Sequence, residues 1–372
     1  MCQGGIPGSD GRCAGHAPRV AALGLPRYLN ETVSVSSPLQ DRPLLSVTPQ
    51  GLYCAAGDFH IDPWRPVERA LITHAHGDHA RGGSRRYLGA RAGEGLLHRR
   101  LGADAEIATL EYGERLRIND VTVSFHPAGH VLGSAQIRVA HRGEVWVISG
   151  DYKRAPDPTC EPFEVVRCHT FITEATFGLP IYRWDDTRLV AEDILRWWDA
   201  NRAVGRSAVL FCYALGKAQR ILGELAKLTD RPVWVHGAVN GLVAAYREAG
   251  VRMLPTQLVS EAEKGSSFAG ALVLAPPSAG GSTWMRRFGE AETGFASGWM
   301  RVRGNRRRRG FDRGFVLSDH ADWPDLLRTV ADTRAERVLV THGQTDALSR
   351  YLREKGVDAA PLATPFEGEA ED

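Results

Sequence analysis

The chain has 372 residues, of which 43% are hydrophobic and 24% are charged. A chain of this length can bury a complete hydrophobic core and predicts roughly two domains, which excludes a single small module. The formal net charge is only +2. The overall charge therefore identifies no acidic partner, and any nucleic-acid surface must come from a local concentration of basic residues.

The six cysteines occur without a C-x-x-C pair, and we interpret them as reduced thiols in a cytoplasm. The sequence contains no run of about 18 apolar residues, the length needed to span a bilayer. Its N-terminus also lacks the basic start and apolar stretch of a signal peptide. We therefore expect a cytoplasmic protein with no membrane partner.

The first segment is rich in Gly, Pro and Ser and has no sustained periodicity, so we predict a flexible tail over residues 1–44. From residue 45 onward, short apolar runs separated by turns predict strands, and most of these runs end on a polar residue. The runs are LLSVTPQGLYC, DFHID, RALIT, VTVSFHPAGH, AQIRVAH, EVWVISGD and TFITEATFG.

After residue 178 the pattern changes to helix alternating with strand. TRLVAEDILRWWDANR and KAQRILGELAKL are amphipathic, and SAVLFCY between them predicts a buried strand. The alternation continues and predicts a small parallel sheet with covering helices. The chain then returns to the first style in GFVLSDHAD, WPDLLRTVADT and RVLVTHGQ. We predict an outer domain over 45–178 and 314–366, an inserted domain over 179–313, and an acidic tail over 367–372.

The hexad HAHGDH directly follows an apolar strand. His74 and His76 can leave the end of the strand on the same side, while Asp78 and His79 continue into a tight turn. For any single histidine a solvated loop is the simpler interpretation, but this spacing brings four candidate ligands together within six residues. Imidazole and carboxylate suit Zn²⁺, Mn²⁺ or Fe, and one turn can divide them between two adjacent ions.

Three other predicted strands end on candidate ligands, namely His130 in PAGHVLGSA, Asp151 in SGDY and His342 in VTHGQ. Asp151 can bridge two cations through its two oxygens, because Gly150 permits a sharp bend before it. The sequence therefore predicts a dinuclear metal site.

These motifs carry a resemblance to a known family. The order of Asp62, His74-x-His76-x-Asp78-His79, His130 and Asp151 resembles the motif series of the metallo-β-lactamase superfamily. Glu174 in TEATFG, His320 in SDHAD and His342 in THG resemble the later motifs of its β-CASP branch of nucleic-acid-processing nucleases. The resemblance implies an α/β fold, an αββα metallo-β-lactamase sandwich with an inserted β-CASP α/β domain.

The resemblance also implies roles for these residues. One ion would take His74, His76, His130 and Asp151, and the other would take Asp78, His79, His342 and the shared Asp151; the ions would be two Zn²⁺, with Mn²⁺ as the alternative. Asp62 resembles the aspartate that braces the metal loop, with Asp58 as the rival placement. Catalytic roles are implied for Asp78, Asp62 and His320, with Glu174 holding the His320 ring; His320 as a metal ligand is the alternative.

The basic stretch MRVRGNRRRRGFDR, from Met300 to Arg313, carries seven arginines against one aspartate. Guanidinium groups bind phosphates as forks, although a solvated basic loop is the alternative. The glycine-rich APPSAGGS can also present backbone N–H groups and a hydroxyl to a phosphate. The predicted nucleic-acid-binding residues are Lys217, Ser278, Arg301, Arg303, Arg306, Arg307, Arg308 and Arg309. Trp284, Trp299 and Phe311 can stack on bases, but buried packing is the commoner use of such rings.

Within the β-CASP branch, the stretch GDFHIDPWRPVERALITHAHGDHA is most similar to bacterial ligase-associated DNA-damage-response exonucleases, relatives of Artemis. We therefore expect a DNA exonuclease that hydrolyses single-stranded ends or overhangs with a water activated by two ions. A DNA ligase and a helicase are the expected functional associates. His342 departs from the eukaryotic DNA-specific members and is shared with the RNA-processing ones. A β-CASP ribonuclease and a nucleic-acid-binding protein with a degenerate metal site are the alternatives.

Overall fold

The computed structural model describes Met1, residues 43–302 and residues 310–364, and the described residues from 43 onward belong to one compact unit. Nearly all of the predicted flexible tail over 1–44 lies outside the described residues. The predicted acidic tail over 367–372 also lies outside them.

The first sheet has six strands in chain order. The first three are antiparallel neighbours, and the pairing is parallel from the third strand to the sixth. The strands are β1 (Ser46–Thr48), β2 (Gly51–Cys54), β3 (Phe59–Ile61), β4 (Arg69–Leu71), β5 (Arg86–Ala90) and β6 (Ile107–Leu110), and helix α1 (Glu94–Leu101) connects the last two.

The second sheet has seven strands and combines two distant parts of the sequence. Its members are β7 (Leu116–Ile118), β8 (Val121–Pro127), β9 (Ala135–His141), β10 (Glu144–Ile148), β11 (Thr170–Ala175), β18 (Arg337–Gly343) and β19 (Asp358–Pro361). Their spatial order is β19-β18-β11-β10-β9-β8-β7. Helix α5 (Trp323–Thr333) precedes β18, and α6 (Thr345–Glu354) connects β18 to β19. The predicted segments AQIRVAH and WPDLLRTVADT coincide with β9 and α5.

The hydrophobic core lies between these two sheets because each contributes an apolar face. Val123 and Phe125 of β8 are fully buried and pack in one cluster with Phe59 and Leu71 of the first sheet. The other face of the second sheet packs against α5 and α6, and the other face of the first sheet packs against α1. The layers are therefore helix, sheet, sheet and helix, which agrees with the predicted mixed α/β class.

The third sheet is entirely parallel, in the order β14-β13-β15-β12-β16-β17. Its strands are β12 (Ser207–Phe211), β13 (Val233–Val235), β14 (Thr256–Leu258), β15 (Leu272–Ala275), β16 (Ala291–Ala296) and β17 (Arg313–Phe315). Helices α2 (Thr187–Ala203), α3 (Lys217–Leu225) and α4 (Gly237–Glu248) pack on one face. The domain boundaries stay predictions.

The predicted strand GFVLSDHAD is shorter in the structure, because β17 ends at Phe315. The carbonyl of Ser318 accepts hydrogen bonds from Lys153 Nζ at 2.7 Å and from Arg220 Nη1 at 2.8 Å. Side chains thus satisfy this backbone in place of a neighbouring strand, and the segment that carries His320 is a loop.

Helix α4 connects the third sheet to the first. Val239 and Val243 pack into the core of the third sheet, whereas Ala245 and Tyr246 pack into the cluster that holds α1. The Tyr246 hydroxyl also accepts a hydrogen bond from the backbone N–H of Leu132 at 3.1 Å. This contact brings the third sheet close to the loop that carries His130.

Cys54, Cys160, Cys168 and Cys212 form no disulfide among the described residues. Within the described ranges we find no helix with the length and apolar character needed to cross a bilayer.

Candidate metal centre

The hexad begins three residues after the end of β4, and the buried carboxylate of Asp62 forms hydrogen bonds with Thr73, which precedes it, and with His79, its last residue. Asp62 Oδ1 accepts a hydrogen bond from the Thr73 backbone N–H at 2.8 Å, and its Oδ2 accepts from Thr73 Oγ1 at 2.6 Å and from His79 Nδ1 at 2.8 Å. The rival Asp58 is exposed and contacts Tyr53 and Arg69. The structure thus places Asp62, and not Asp58, beneath the hexad.

His74, His76 and His130 turn their ring nitrogens toward one point. His76 Nδ1 lies 3.0 Å from His74 Nε2 and 3.1 Å from His130 Nε2. Asp151 completes this group, since its Oδ2 lies 3.4 Å from His74 Nε2 and 3.8 Å from His130 Nε2. One ligand atom from each of the four lies within 4.8 Å of the others.

A second group lies beside the first and consists of Asp78, His79 and His342. The rings of His79 and His342 stack with centroids 4.9 Å apart, and Asp78 Oδ2 lies 3.7 Å from His79 Nε2. Asp151 Oδ2 lies 3.4 Å from His79 Nε2 as well. The Asp151 carboxylate therefore stands between the two groups, as a bridging ligand would.

The backbone is bent at two of these strand ends. Gly150 has a φ of +56°, and a Cβ atom there would lie 2.7 Å from Cβ of Thr73, so the position requires glycine for both reasons. His342 has a φ of +57° at a register shift, where β11 residues Glu174 and Ala175 pair with Thr341 and Gly343. This bulge redirects the His342 ring out of the strand's alternation and toward the second group.

The electrostatics of the site suit cation binding. Burial lowers the pKa of His74 and of His342 to about 4 and that of His130 well below its ordinary value. These rings are therefore neutral at neutral pH and can offer a lone pair. Burial alone would raise the pKa of Asp151, but His79 and His320 hold it well below the usual range. Burial likewise opposes the charge on His79, yet Asp151 and Asp78 raise its pKa well above the ordinary value.

Distant residues orient two of the histidine rings through their outer nitrogens. His130 Nδ1 donates to the carbonyl of Asp319 at 3.0 Å, and His76 Nε2 donates to the carbonyl of Leu215 at 3.3 Å. Bonds of this kind fix the tautomer and direction of a ligating ring. Sequence reasoning missed both residues, because a backbone carbonyl carries no side-chain signal.

Glu174 and His320 form a buried pair next to the first group. His320 Nδ1 lies 2.9 Å from Glu174 Oε2, and Glu174 Oε1 also accepts from the Tyr152 backbone N–H at 2.8 Å. The rings of His320 and His130 are 4.7 Å apart. Asp151, Glu174 and His320 also form a third group with metal-ligand spacing, so the geometry accommodates both predicted roles of His320.

Lys217 requires a correction as a nucleic-acid contact. Its side chain is 1% exposed, its ammonium lies 3.3 Å from Asp319 Oδ2, and it stands over the Tyr213 ring. A buried, ion-paired ammonium does not present its charge to a phosphate on the surface. Lys217 instead holds the segment that supplies the Asp319 carbonyl to His130.

Of the other predicted nucleic-acid contacts, only two lie among the described residues. Ser278 is exposed in a turn after β15, and Arg301 is exposed with Nη1 3.6 Å from Asp185. The remaining ones, Arg303, Arg306, Arg307, Arg308 and Arg309, lie outside the described residues.

The three aromatic rings predicted to stack on bases are all partly buried. Trp299 packs on Phe177 with centroids 4.8 Å apart, and Trp284 and Phe311 pack against the apolar cluster on the face of the third sheet opposite α2, α3 and α4. Core packing is therefore the role that the structure gives them.

The donor set fits two divalent cations. Asp151 Oδ1 is buried and has no hydrogen-bond partner among the residues that the structure describes, as expected for an oxygen reserved for a cation. Imidazole and carboxylate ligands in two adjoining groups match the chemistry of zinc and of manganese. The histidine and aspartate clusters fit a dinuclear metal site.

The chain is similar in sequence to several known proteins. No protein-family model matches the chain. It is 33% identical to a probable DNA ligase of Opitutus terrae over 313 residues, which cover 83% of this chain and 30% of the relative. It is 27% identical to ribonuclease TTHA0252 of Thermus thermophilus over 50% of this chain and 49% of that protein. It is also 32% identical to endoribonuclease ysh1 of Aspergillus fumigatus over 31% of this chain and 13% of that protein.

The chain spans less than half the length of each of these curated relatives. A solved structure of a protein of unknown function from Enterococcus faecalis superposes with a TM-score of 0.53 at 12% identity, covering 81% of this chain and 80% of that one, and supports the fold alone. The similarities to the named ribonucleases support the metallo-β-lactamase superfamily, which the motif series resembles.

Proposed function

We propose that the chain is a metal-dependent nuclease of the β-CASP branch, a phosphodiester hydrolase that uses two divalent ions, Zn²⁺ or Mn²⁺. The observation that carries this proposal is the meeting of two ligand groups at Asp151. Relatives named as ribonucleases and endoribonucleases support the same reaction class. The arrangement of ligands also argues against a binding protein with a degenerate metal site.

The residues divide the work of hydrolysis. His74, His76, His130 and Asp151 would hold one ion, and Asp78, His79, His342 and the shared Asp151 would hold the other. When bound, two such ions lower the pKa of a water and neutralise charge on the phosphate oxygens. Asp62 orients His79 by accepting a hydrogen bond from its Nδ1–H. His320, whose Nδ1 is held by Glu174, is the proposed donor of a proton from Nε2 to the leaving 3′ oxygen.

The proposed substrate is single-stranded DNA, at ends or overhangs, in bacterial DNA repair in the cytoplasm. Its support is the match to a probable DNA ligase over 83% of the chain, which also motivates the proposed association with a ligase. A helicase partner rests on the sequence resemblance alone. RNA is the second candidate, because relatives named for ribonuclease activity match up to half of the chain and because His342 stands in the second ligand group.

The test is a time course on single-stranded DNA and RNA of the same sequence, labelled at the 5′ or the 3′ end, with Zn²⁺ or Mn²⁺ added. Stepwise shortening of the DNA supports a DNA exonuclease, whereas cleavage confined to RNA supports the second candidate. If the wild type holds two metal ions and cleaves neither, the proposed reaction is wrong. The control is Asp78→Ala; equal activity in that variant would contradict the two-ion mechanism.

A further inference from the structure

Among the described residues, the most exposed part of the metal centre is the turn of the hexad. Five of the seven proposed ligands are at most 6% exposed, whereas His76 and Asp78 are partly exposed, as is Gly77 between them. A polymeric substrate must therefore approach along the turn that contains Gly77. The side chains around this turn decide how the substrate is held.

An arginine occupies the space beside Gly77. Arg100, in the last turn of α1, packs its guanidinium directly against this glycine, and a Cβ atom at residue 77 would overlap its Nη2 atom. Gly77 does not have a positive φ. The guanidinium of Arg100 therefore lies directly against the backbone of the metal-bearing turn.

Arg100 has no carboxylate partner among the described residues, and its side chain is exposed. Its neighbour Arg99, on the same helix turn, is paired with Glu248 across 3.5 Å. The C-terminal end of a helix favours both cations equally, so the helix dipole does not explain why Arg100 lies on the metal-bearing turn. The Arg100 guanidinium is therefore accessible to an anion from outside the described residues.

A second arginine contacts the same turn. Arg81 is exposed, and its Nε donates to the carbonyl of Asp78 at 3.3 Å without any carboxylate partner in the described ranges. Nearby Arg85, by contrast, is paired with Glu68 at 3.2 Å. Two exposed guanidinium groups on the approach to the metal groups create a positive potential that favours a polyanion.

We propose that Arg81 and Arg100 form a phosphate-binding pair that holds the backbone of a single-stranded nucleic acid at phosphates neighbouring the one hydrolysed. This inference rests on the proposed nuclease function and deepens it. Both guanidinium groups offer forked donors that suit phosphate oxygens, and neither reads a base. The pair therefore binds DNA and RNA strands alike and fixes the path of the strand across the metal centre.

The experiment compares Arg100→Ala and Arg81→Ala with Arg99→Ala and Arg85→Ala, two exposed but ion-paired controls. Dissociation constants for fluorescent single-stranded DNA and RNA are measured by anisotropy over a range of salt concentrations. Each of the first two variants should bind about fivefold more weakly at low salt. Each should also reduce the slope of log affinity against log salt by about 0.7, the value for one phosphate contact on a single strand.

Catalysis provides a second readout. Bis(p-nitrophenyl) phosphate is a phosphodiester without neighbouring phosphates, so the ratio of kcat/KM for the oligonucleotide to that for this diester should fall about fivefold in Arg100→Ala and Arg81→Ala. Arg100→Gln, which keeps the length of the side chain, should behave like Arg100→Ala. Metal content and thermal unfolding verify that all variants are folded and loaded.

Two results would contradict the proposal that Arg81 and Arg100 bind phosphate. One is wild-type affinity and salt slope in both Arg100→Ala and Arg81→Ala; the other is an equal loss in the two control variants, which would indicate diffuse surface charge. Failure of the proposed nuclease function would give a different result. The wild type would then cleave neither the oligonucleotide nor the small diester, while the binding measurements would still test whether Arg81 and Arg100 bind phosphate.

Discussion

Replacing Asp62 with asparagine tests how the second ligand group is held in place. Oδ2 of Asp62 accepts hydrogen bonds from both Thr73 Oγ1 and His79 Nδ1, at 2.6 and 2.8 Å. An amide NH₂ at that position would face two groups that donate to it now. His79 would lose the acceptor that fixes its ring with Nε2 toward the metal site.

The size of the effect follows from this geometry. A hydrogen bond to a charged group contributes about 1.5–3 kcal/mol, and the partners of metal-ligating histidines typically account for a factor of about 10–100 in metal affinity. We therefore expect Asp62→Asn to weaken the more labile of the two ions by about 10–100-fold. Stability should fall by about 2 kcal/mol, since Thr73 also loses a partner.

The assay is a competition titration of zinc against a chelator of known affinity, performed on protein that circular dichroism shows to be folded. Asp58→Asn is the matched control, because Asp58 is exposed and contacts only Tyr53 and Arg69 in the described structure. It should hold both ions as the wild type does. Unchanged zinc affinity in Asp62→Asn, or a comparable loss in Asp58→Asn, would refute the bracing role of Asp62.

Three further predictions follow from the site. Gly150→Ala should destabilise the fold by roughly 2 kcal/mol in denaturant unfolding, since it adds a clash with Thr73 to the left-handed strain; Gly143→Ala, with a φ of +89° and open space, should show the strain alone. Because the pKa of His79 is raised in the metal-free protein, metal binding at neutral pH must displace a proton from this ring, so the affinity for metal should increase with pH. Calorimetry in buffers of different ionisation enthalpy measures the proton release. A metal affinity that does not change with pH would be inconsistent with it. His320→Ala should lower kcat by about 10²–10⁴-fold with both ions retained by elemental analysis; lost metal would move His320 into the ligand set.

Local spacing explains why the sequence predicted a metal site at the hexad. His74 to His79 follow one strand without interruption, and the geometry of a strand and a turn is enough to bring their side chains to one edge. Asp151 was also predictable from local sequence, because Gly150 before it permits a sharp bend at the end of the strand. The roles of these residues in metal binding and catalysis stay proposals, although the structure brings their side chains together.

The parts that sequence reasoning missed depend on contacts between distant elements. Arg100 meets Gly77 only because α1 packs where it does, and that short helix, with Gly95 inside it, has too little periodicity to predict. Lys217 was predicted to contact nucleic acid, yet its side chain is buried and Asp319 provides a partner for its charge. Contacts of this kind depend on the tertiary fold, so the pattern of residues in a single sequence does not predict them.

The carbonyls that orient His76 and His130 come from Leu215 and Asp319, and His342 arrives later still in the chain. During synthesis, the first 151 residues supply six of the seven proposed ligands long before these supports exist. We expect such a nascent fragment to hold metal weakly. The ions would then be captured firmly only after the segment that carries His342 has been made, so that synthesis itself delays the appearance of a loaded centre.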